Sequence, residues 1–324
     1  MTAVLVTGAS GFVGRRLCKV LGQQGSHVTA LHRRDVPGPW QRQLLVDLAA
    51  PGPALELPGD IVRVFHLAGY AHADGANRAD ALHQATSVEG TRRLLCALGP
   101  RVRHLVYFSS VKAMGECTPL QGVDETTPCR PTTGYGRARL EAEALVAAAS
   151  REGLRTTVLR LPLIYGPGVR GNLRRMLHAV RAGRMPRLPG FGNRRSMVHV
   201  DDACRAALCA VEAQCQPTRT YLLSDGEDLE PREVVAMMYA ACGRRPLIPR
   251  VPRQILSAAA RAGDWLEWAG FSRVPFSAAA LEKLRHSAVY DASLITRETG
   301  WQPRLRLRDA LPAMLSELQR EARE

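Results

Sequence analysis

Three groups of residues in this 324-residue chain have the types and spacing to do chemistry. Gly8-Ala9-Ser10-Gly11-Phe12-Val13-Gly14 follows a short apolar run and opens an amphipathic stretch. Glycines let a backbone turn tightly and come close to a pyrophosphate, and the free N–H groups of the helix that follows then point at it. Tyr135 and Arg139 stand four residues apart in a stretch that reads as a helix, so they share one face. A cation beside a phenol favours its ionised form, which equips the phenol to trade a proton with a hydroxyl or a ketone. Gly192-Asn193-Arg194-Arg195-Ser196 is a basic loop suited to a diphosphate, because guanidinium pairs bidentately with phosphate oxygens.

The elements around these groups set how they would meet. Strands are expected at 3–7, 27–31, 43–47, 61–67, 103–109 and 156–161, mostly as continuous apolar runs. Such runs fit a parallel sheet buried on both faces. Helices are expected at 12–24, 77–98, 135–152 and 172–183. This alternation predicts an α/β fold, a Rossmann-type doubly wound parallel sheet. Beyond Pro167 the pattern loosens, with Gly and Pro at 183–192 and 243–253 and helical stretches at 228–243 and 277–286. The expected division is 1–168 for dinucleotide binding and 169–324 for a smaller mixed α/β substrate lobe, some of whose segments return to the sheet.

Composition narrows the function classes. At about 100–200 residues per domain, the length allows one large domain or two moderate ones. Apolar residues make up 46% and charged residues 23%, which excludes a disordered or collagen-like chain. No apolar run reaches the roughly 18 residues of a spanning helix. Residues 2–7 read as a strand with no basic and apolar leader before them, so no signal peptide and a cytoplasmic location are expected. The eight cysteines form no CxxC pair, so no metal site and reduced thiols are expected. The net charge of +14 comes from 44 cations, of which only Lys19, Lys112 and Lys283 are lysine. The arginines are scattered and aromatics are only 5%, so a phosphate-bearing small molecule is favoured over nucleic acid.

The glycine spacing is GxxGxxG, and here the chain resembles the short-chain dehydrogenase/reductase superfamily, in its extended branch of sugar-nucleotide epimerases, dehydratases and reductases. The resemblance rests on Val6-Thr7-Gly8 through Gly14, Val46-Asp47-Leu48, His66-Leu67-Ala68-Gly69 and Tyr107-Phe108-Ser109-Ser110. It continues through Tyr165-Gly166-Pro167-Gly168, the stretch from Arg195 to Asp202, and Gly300-Trp301-Gln302-Pro303. It implies a nicotinamide dinucleotide held by Gly8, Ser10, Gly11, Phe12, Val13 and Gly14, with Asp47 on the adenine amino group. Leu48, Leu67, Ala68, Gly69, Ser87 and Pro162 would complete the cofactor site. Catalysis is implied at Ser110, Tyr135 and Arg139: Tyr135 as acid and base, Ser110 on the same substrate oxygen, Arg139 beside Tyr135 and on the nicotinamide ribose. The resemblance also implies a homodimer through helices 77–98 and 135–152.

Two residues depart from the family pattern. Arg139 stands where lysine is usual, and arginine cannot deliver a proton, although its field and its ribose hydrogen bonds can remain. Ser87 stands where the family has an asparagine that holds a helix bend. The second strand ends Leu31-His32-Arg33-Arg34, without the acid that accepts from a ribose 2′-OH in NAD-binding members. Two guanidiniums suit a 2′-phosphate, so NADP is expected, with NAD open through Asp35.

Ser109-Ser110-Val111-Lys112-Ala113-Met114-Gly115-Glu116 is similar to the SSxKxxGE pattern of a subgroup acting on UDP-linked hexosamines as 4-epimerases and 4-ketoreductases. Lys112, Tyr165, Asn172, Arg174 and Arg195 are then expected at the substrate, with Met114 lining the sugar pocket. Dehydratase relatives carry an Asp-Glu pair where this chain has Val111-Lys112, which disfavours dehydration. An exchangeable NADP favours reduction of a 4-keto sugar nucleotide over 4-epimerisation. A ketone reductase on a non-sugar metabolite, and a catalytically weak dinucleotide-binding protein, are the other readings.

Overall fold

The first strand, β1 (Ala3–Thr7), is buried along its whole length, and its side chains alternate between two cores. Val4 and Val6 join one cluster, Ala3 and Leu5 the other. That is the period of a strand covered on both faces. The structure, a computed structural model, describes residues 1–69, 76–213, 216–248, 251–268 and 278–321. Cys215, residues 249–250 of the irregular stretch and Ser277 of the expected 277–286 helix lie outside these.

Six more strands join β1: β2 (His27–His32), β3 (Arg42–Leu45), β4 (Arg63–His66), β5 (His104–Ser110), β6 (Arg155–Leu161) and, after two short strands, β9 (Thr218–Leu222). The sheet order is β3-β2-β1-β4-β5-β6-β9 and every pairing is parallel. Chain order therefore reverses between β1 and β4, and a crevice opens at the carboxyl ends of those strands. The short β7 (Leu163–Tyr165) and β8 (Met197–His199) pair separately, Ile164 opposite Val198. The expected strands are all present. β7, β8 and β9 are additions, and β9, from beyond residue 168, carries only half-buried residues in its first three positions.

Helices cover both faces. α1 (Phe12–Gln23) buries Leu17, Cys18 and Leu21 in the Val4/Val6 core. The expected 77–98 helix is three pieces: α2 (Ala76–His83), a π-helical segment Gln84–Glu89, and α3 (Gly90–Cys96). α4 (Gly134–Ala148) places Ala142 and Val146 in the Ala3/Leu5 core. Residues beyond β7 add α5 (Gly171–Arg181), α6 (Val200–Glu212), α7 (Pro231–Cys242), α8 (Arg253–Trp268), α9 (Ala278–Arg285), α10 (Ser293–Thr299) and α11 (Leu307–Glu321). α6 returns to the sheet beside α1, whereas α5, α7 and α11 enclose a separate core with Leu177, Met238 and Met314. No helix among the described residues is long and apolar enough to cross a membrane.

Candidate active site

The crevice between β1 and β4 is shaped by close backbone approach. Gly8 has φ +67°, and a Cβ there would lie 2.9 Å from the Ala68 nitrogen. A Cβ on Gly14 would press into the Gly8 carbonyl and lie 2.8 Å from the Ala9 Cα. Gly11 caps α1 without a side-chain hydrogen bond, so the first-turn N–H groups are left for a ligand. A dinucleotide pyrophosphate fits this cradle, since backbone donors and a helix dipole converge on it.

A buried hydrogen-bond chain ties the crevice walls together. Thr7 Oγ1 lies 2.6 Å from His66 Nδ1, and His66 Nε2 lies 2.9 Å from Thr91 Oγ1. Thr91 donates to the Ser87 carbonyl, inside the π-helical segment. Thr7 Oγ1 also accepts from the Leu67 and Ala68 N–H groups, at 3.2 and 3.1 Å. One donation order satisfies all of these: Thr7 to Nδ1, Nε2–H to Thr91, Thr91 to Ser87. It requires a neutral imidazole. Burial, and then the charge of Arg139, push His66 down to about 3, so it is neutral at physiological pH. Ser87 itself is buried, and its own hydroxyl has no partner among the described residues.

The residues expected at the adenosine end of a dinucleotide lie around the end of β2 and the loop after β3. Arg33 and Arg34 are exposed just beyond β2, while Asp35 accepts from Gln43 Nε2 at 2.7 Å. Arg15 stands over the Trp40 ring at 5.6 Å, and His32 meets the same ring edge-on at 5.0 Å. Asp47 is exposed and accepts from the Ala49 N–H at 3.0 Å; Leu48 is buried beside it. Arg93 donates to the carbonyls of Asp47, Leu48, Ala50 and Pro53 and so holds this loop.

The three residues expected to be catalytic lie where β5 meets α4. Ser110 ends β5, and its hydroxyl accepts from the Lys112 N–H at 3.3 Å. Thr133 caps α4 by accepting from the Gly136 N–H at 3.2 Å, which sets Tyr135 in the first turn. Arg139 is one turn further on; its Cζ lies 5.2 Å from the Tyr135 ring centroid, and Nη1 donates to Tyr107 Oη at 3.0 Å and to the Phe108 carbonyl at 3.3 Å. Burial opposes its charge, but the facing phenols of Tyr107 and Tyr135 outweigh that and raise its pKa. His83 packs edge-on against Tyr135 at 5.1 Å. Glu143, four residues past Arg139, receives Arg160 Nη2 at 2.7 Å and the Ser109 hydroxyl, clamping α4 to β5 and β6.

The expected substrate residues fall into two sets. Lys112 reaches Glu116 Oε2 at 2.8 Å, and Glu116 Oε1 accepts from Thr133 at 2.7 Å, so this loop adjoins the start of α4. Met114 packs with Val111, Leu222 and Tyr290. Facing Tyr290 is Arg195, whose Nε is buried without a partner among the described residues, as is the Tyr290 hydroxyl. Asp201 and Asp202 pair instead with Arg16 and Arg205. Burial lowers the pKa of Arg195, and it pushes Tyr290 up to about 12 against the guanidinium's pull. The second set points elsewhere. Tyr165 is fully buried, its hydroxyl 2.7 Å from Asp225 Oδ2 and 2.9 Å from the Leu305 carbonyl. Arg174 pairs with Glu321 at 2.7 Å, and exposed Asn172 accepts from Arg175. Pro162 is buried between β6 and β7.

The NAD dependent epimerase/dehydratase family model matches residues 4–223. The chain belongs to this family. It is an NAD(P)-dependent enzyme of the extended short-chain dehydrogenase/reductase type, a reductase or an epimerase. It is 28% identical over 319 residues to the 4-hydroxy-2-methyl-3-oxo-4-farnesyl-3,4-dihydroquinoline-1-oxide ketoreductase of Stigmatella aurantiaca, covering 95% of this chain and 94% of that one. It is 34% identical over 265 residues to the 2-alkyl-3-oxoalkanoate reductase of Stenotrophomonas maltophilia, covering 78% of each. The solved structure of MoeE5 in complex with UDP-glucose and NAD superposes with a TM-score of 0.77 at 25% identity, covering 99% of both chains.

Within this family enzyme, sequence reasoning missed Tyr107, Thr91, Glu143, Arg160, Trp40 and Tyr290. Two of these carried a signal: alternation along β5 puts Tyr107 on the same face of the sheet as α4, with Leu105, and Glu143 continues the i,i+4 spacing of Tyr135 and Arg139 along α4. The rest are joined by contacts far apart in sequence.

Proposed function

We propose that the enzyme reduces the 4-keto group of a UDP-linked sugar with NADPH. The observation that carries this reading is Arg195, a largely buried guanidinium whose Nη2 donates to the His286 carbonyl at 3.4 Å but which has no acidic partner among the described residues and an unpaired Nε. A buried charge without a counter-charge is costly, and a diphosphate is a ligand that repairs the deficit. Tyr290 and Met114 connect this corner, through the Lys112–Glu116 loop and Thr133, to Tyr135. The exposed Arg33 and Arg34, without an acidic partner among the described residues, support NADP, since Asp35 is engaged by Gln43.

A dinucleotide held by the glycine loop would supply the hydride. Tyr135 donates its hydroxyl proton to the carbonyl oxygen as that oxygen gains charge, and Ser110 hydrogen-bonds the same oxygen. Arg139 stays cationic and stabilises the tyrosinate left behind. Because arginine does not release its proton, Tyr135 regains one from solvent rather than through this side chain. Lys112 and Arg195 bind the sugar and the diphosphate in this scheme.

Two relatives with names of non-sugar ketone reductases favour a second reading, a ketoreductase on an apolar metabolite. A thermal-shift panel separates them, because any ligand of the native state raises its stability. Stabilisation by NADP and, further, by UDP or UDP-N-acetylglucosamine is the expected result. Stabilisation by NADP alone would transfer the assignment to the second reading.

A further inference from the structure

We propose that Gly69 and Tyr107 are positioning partners of Arg139: the absent side chain at 69 makes room for a guanidinium, and the Tyr107 hydroxyl directs it. This rests on the reading that Arg139 serves the bound dinucleotide.

Gly69 is not one of the glycines with positive φ, so nothing in the backbone conformation demands glycine there. The demand is steric. A Cβ at 69 would collide with Arg139 Nη2 and lie 2.9 Å from Cζ and 3.1 Å from Nη1. The far end of a flexible side chain usually yields to such a contact. Here it cannot yield cheaply, because Arg139 is 5% exposed and Nη1 is fixed by Tyr107 Oη and the Phe108 carbonyl. A lysine ends at the atom corresponding to Cζ and carries no fork beyond it, so it lacks the Nη2 that makes the closest approach, and its single unanchored end is free to draw back from residue 69.

Tyr107 makes the guanidinium's direction definite. It is wholly buried, on the face of β5 that meets α4, and its ring also lies 5.8 Å from Arg139 Cζ. Burial raises its pKa despite the facing cation, so the phenol stays neutral and offers an oxygen lone pair. Arg139 Nε has no partner among the described residues, which leaves Nη1 as the anchored nitrogen and Nη2 turned to Gly69 at the crevice wall. Tyr107 is thus a positioning residue that acts through Arg139.

The test is a pair of double-mutant cycles read as NADPH and NADH dissociation constants by fluorescence titration, with circular dichroism confirming the fold. Gly69→Ala should weaken the preferred dinucleotide by about tenfold in the native background and by no more than about twofold combined with Arg139→Lys. Tyr107→Phe should weaken it by about threefold to tenfold alone and have little effect combined with Arg139→Lys. This second cycle keeps the test open should Gly69→Ala fail to fold. Equal penalties in both backgrounds overturn the pairing while leaving the cofactor reading intact. Failure of the unmodified chain to bind either dinucleotide overturns both.

Discussion

The wall of the dinucleotide crevice and the Arg195 corner differ in how far their buried polar groups are networked with one another. Around the crevice the buried groups are joined in networks, with the Ser87 hydroxyl and Arg139 Nε left over among the described residues: Thr7, His66, Thr91 and the Ser87 carbonyl form one chain, and Glu143 takes both Arg160 and Ser109. At the Arg195 corner two polar atoms, Arg195 Nε and the Tyr290 hydroxyl, are left unpaired among the described residues. The first arrangement stabilises a fixed shape. The second stores an unmet demand that a ligand meets on binding. Substitutions in the first region should therefore lower stability, and in the second they should lower affinity instead.

The largest effect should come from breaking the clamp on α4. Glu143 and Arg160 are both more than nine-tenths buried, and removing one partner of such a pair leaves an uncompensated charge. Glu143→Ala or Arg160→Ala should cost about 3–5 kcal/mol of stability in chemical denaturation. Arg195→Leu should have the reverse signature. UDP affinity by calorimetry should fall by about 1.5–3 kcal/mol, while the melting temperature holds or rises because an unpaired buried charge is gone. A melting temperature that collapses would place Arg195 with the structural groups and erase the contrast.

A pH titration sharpens the comparison from the other side. Burial pushes His66 down to about 3 and His104 down to about 4. Between those values and the ordinary value of about 6.5, the unfolded chain binds more protons than the folded one, so stability falls as pH is lowered. Each histidine contributes a slope of up to about 1.4 kcal/mol per pH unit in that window. Denaturation midpoints from pH 7 to 4 should show the slope, and His66→Asn should remove its share. The smallest expected effect is at the α4 cap, where Thr133→Ala should cost about 1 kcal/mol.

What could be read from the sequence is what is local. The glycine loop, β1 and the start of α1 are contiguous, so composition and spacing reveal them. Tyr135 and Arg139 share one helix face for the same reason. β9 was hidden because Thr218-Arg219-Thr220 at the sheet edge has no apolar run; Arg219 pairs there with Glu298 of α10. The π-helical segment was hidden because its extra residue breaks the 3.6 period only briefly. Arg195 and Tyr290 meet because Arg195 bridges Leu229 on one side and Ala288 on the other. No pattern within one segment encodes that meeting. Tyr165 shows the opposite failure: its place in a motif suggested a ligand, and its burial against Asp225 gives it a role in the core.

The phenol at 135 is the centre of the account, and single-turnover oxidation of bound NADPH by a UDP-4-keto sugar tests it most directly. Tyr135→Phe should slow the hydride step by about 10²–10⁴-fold while the NADPH dissociation constant stays within about twofold of the native one. A variant that turns over at the native rate would contradict the assignment.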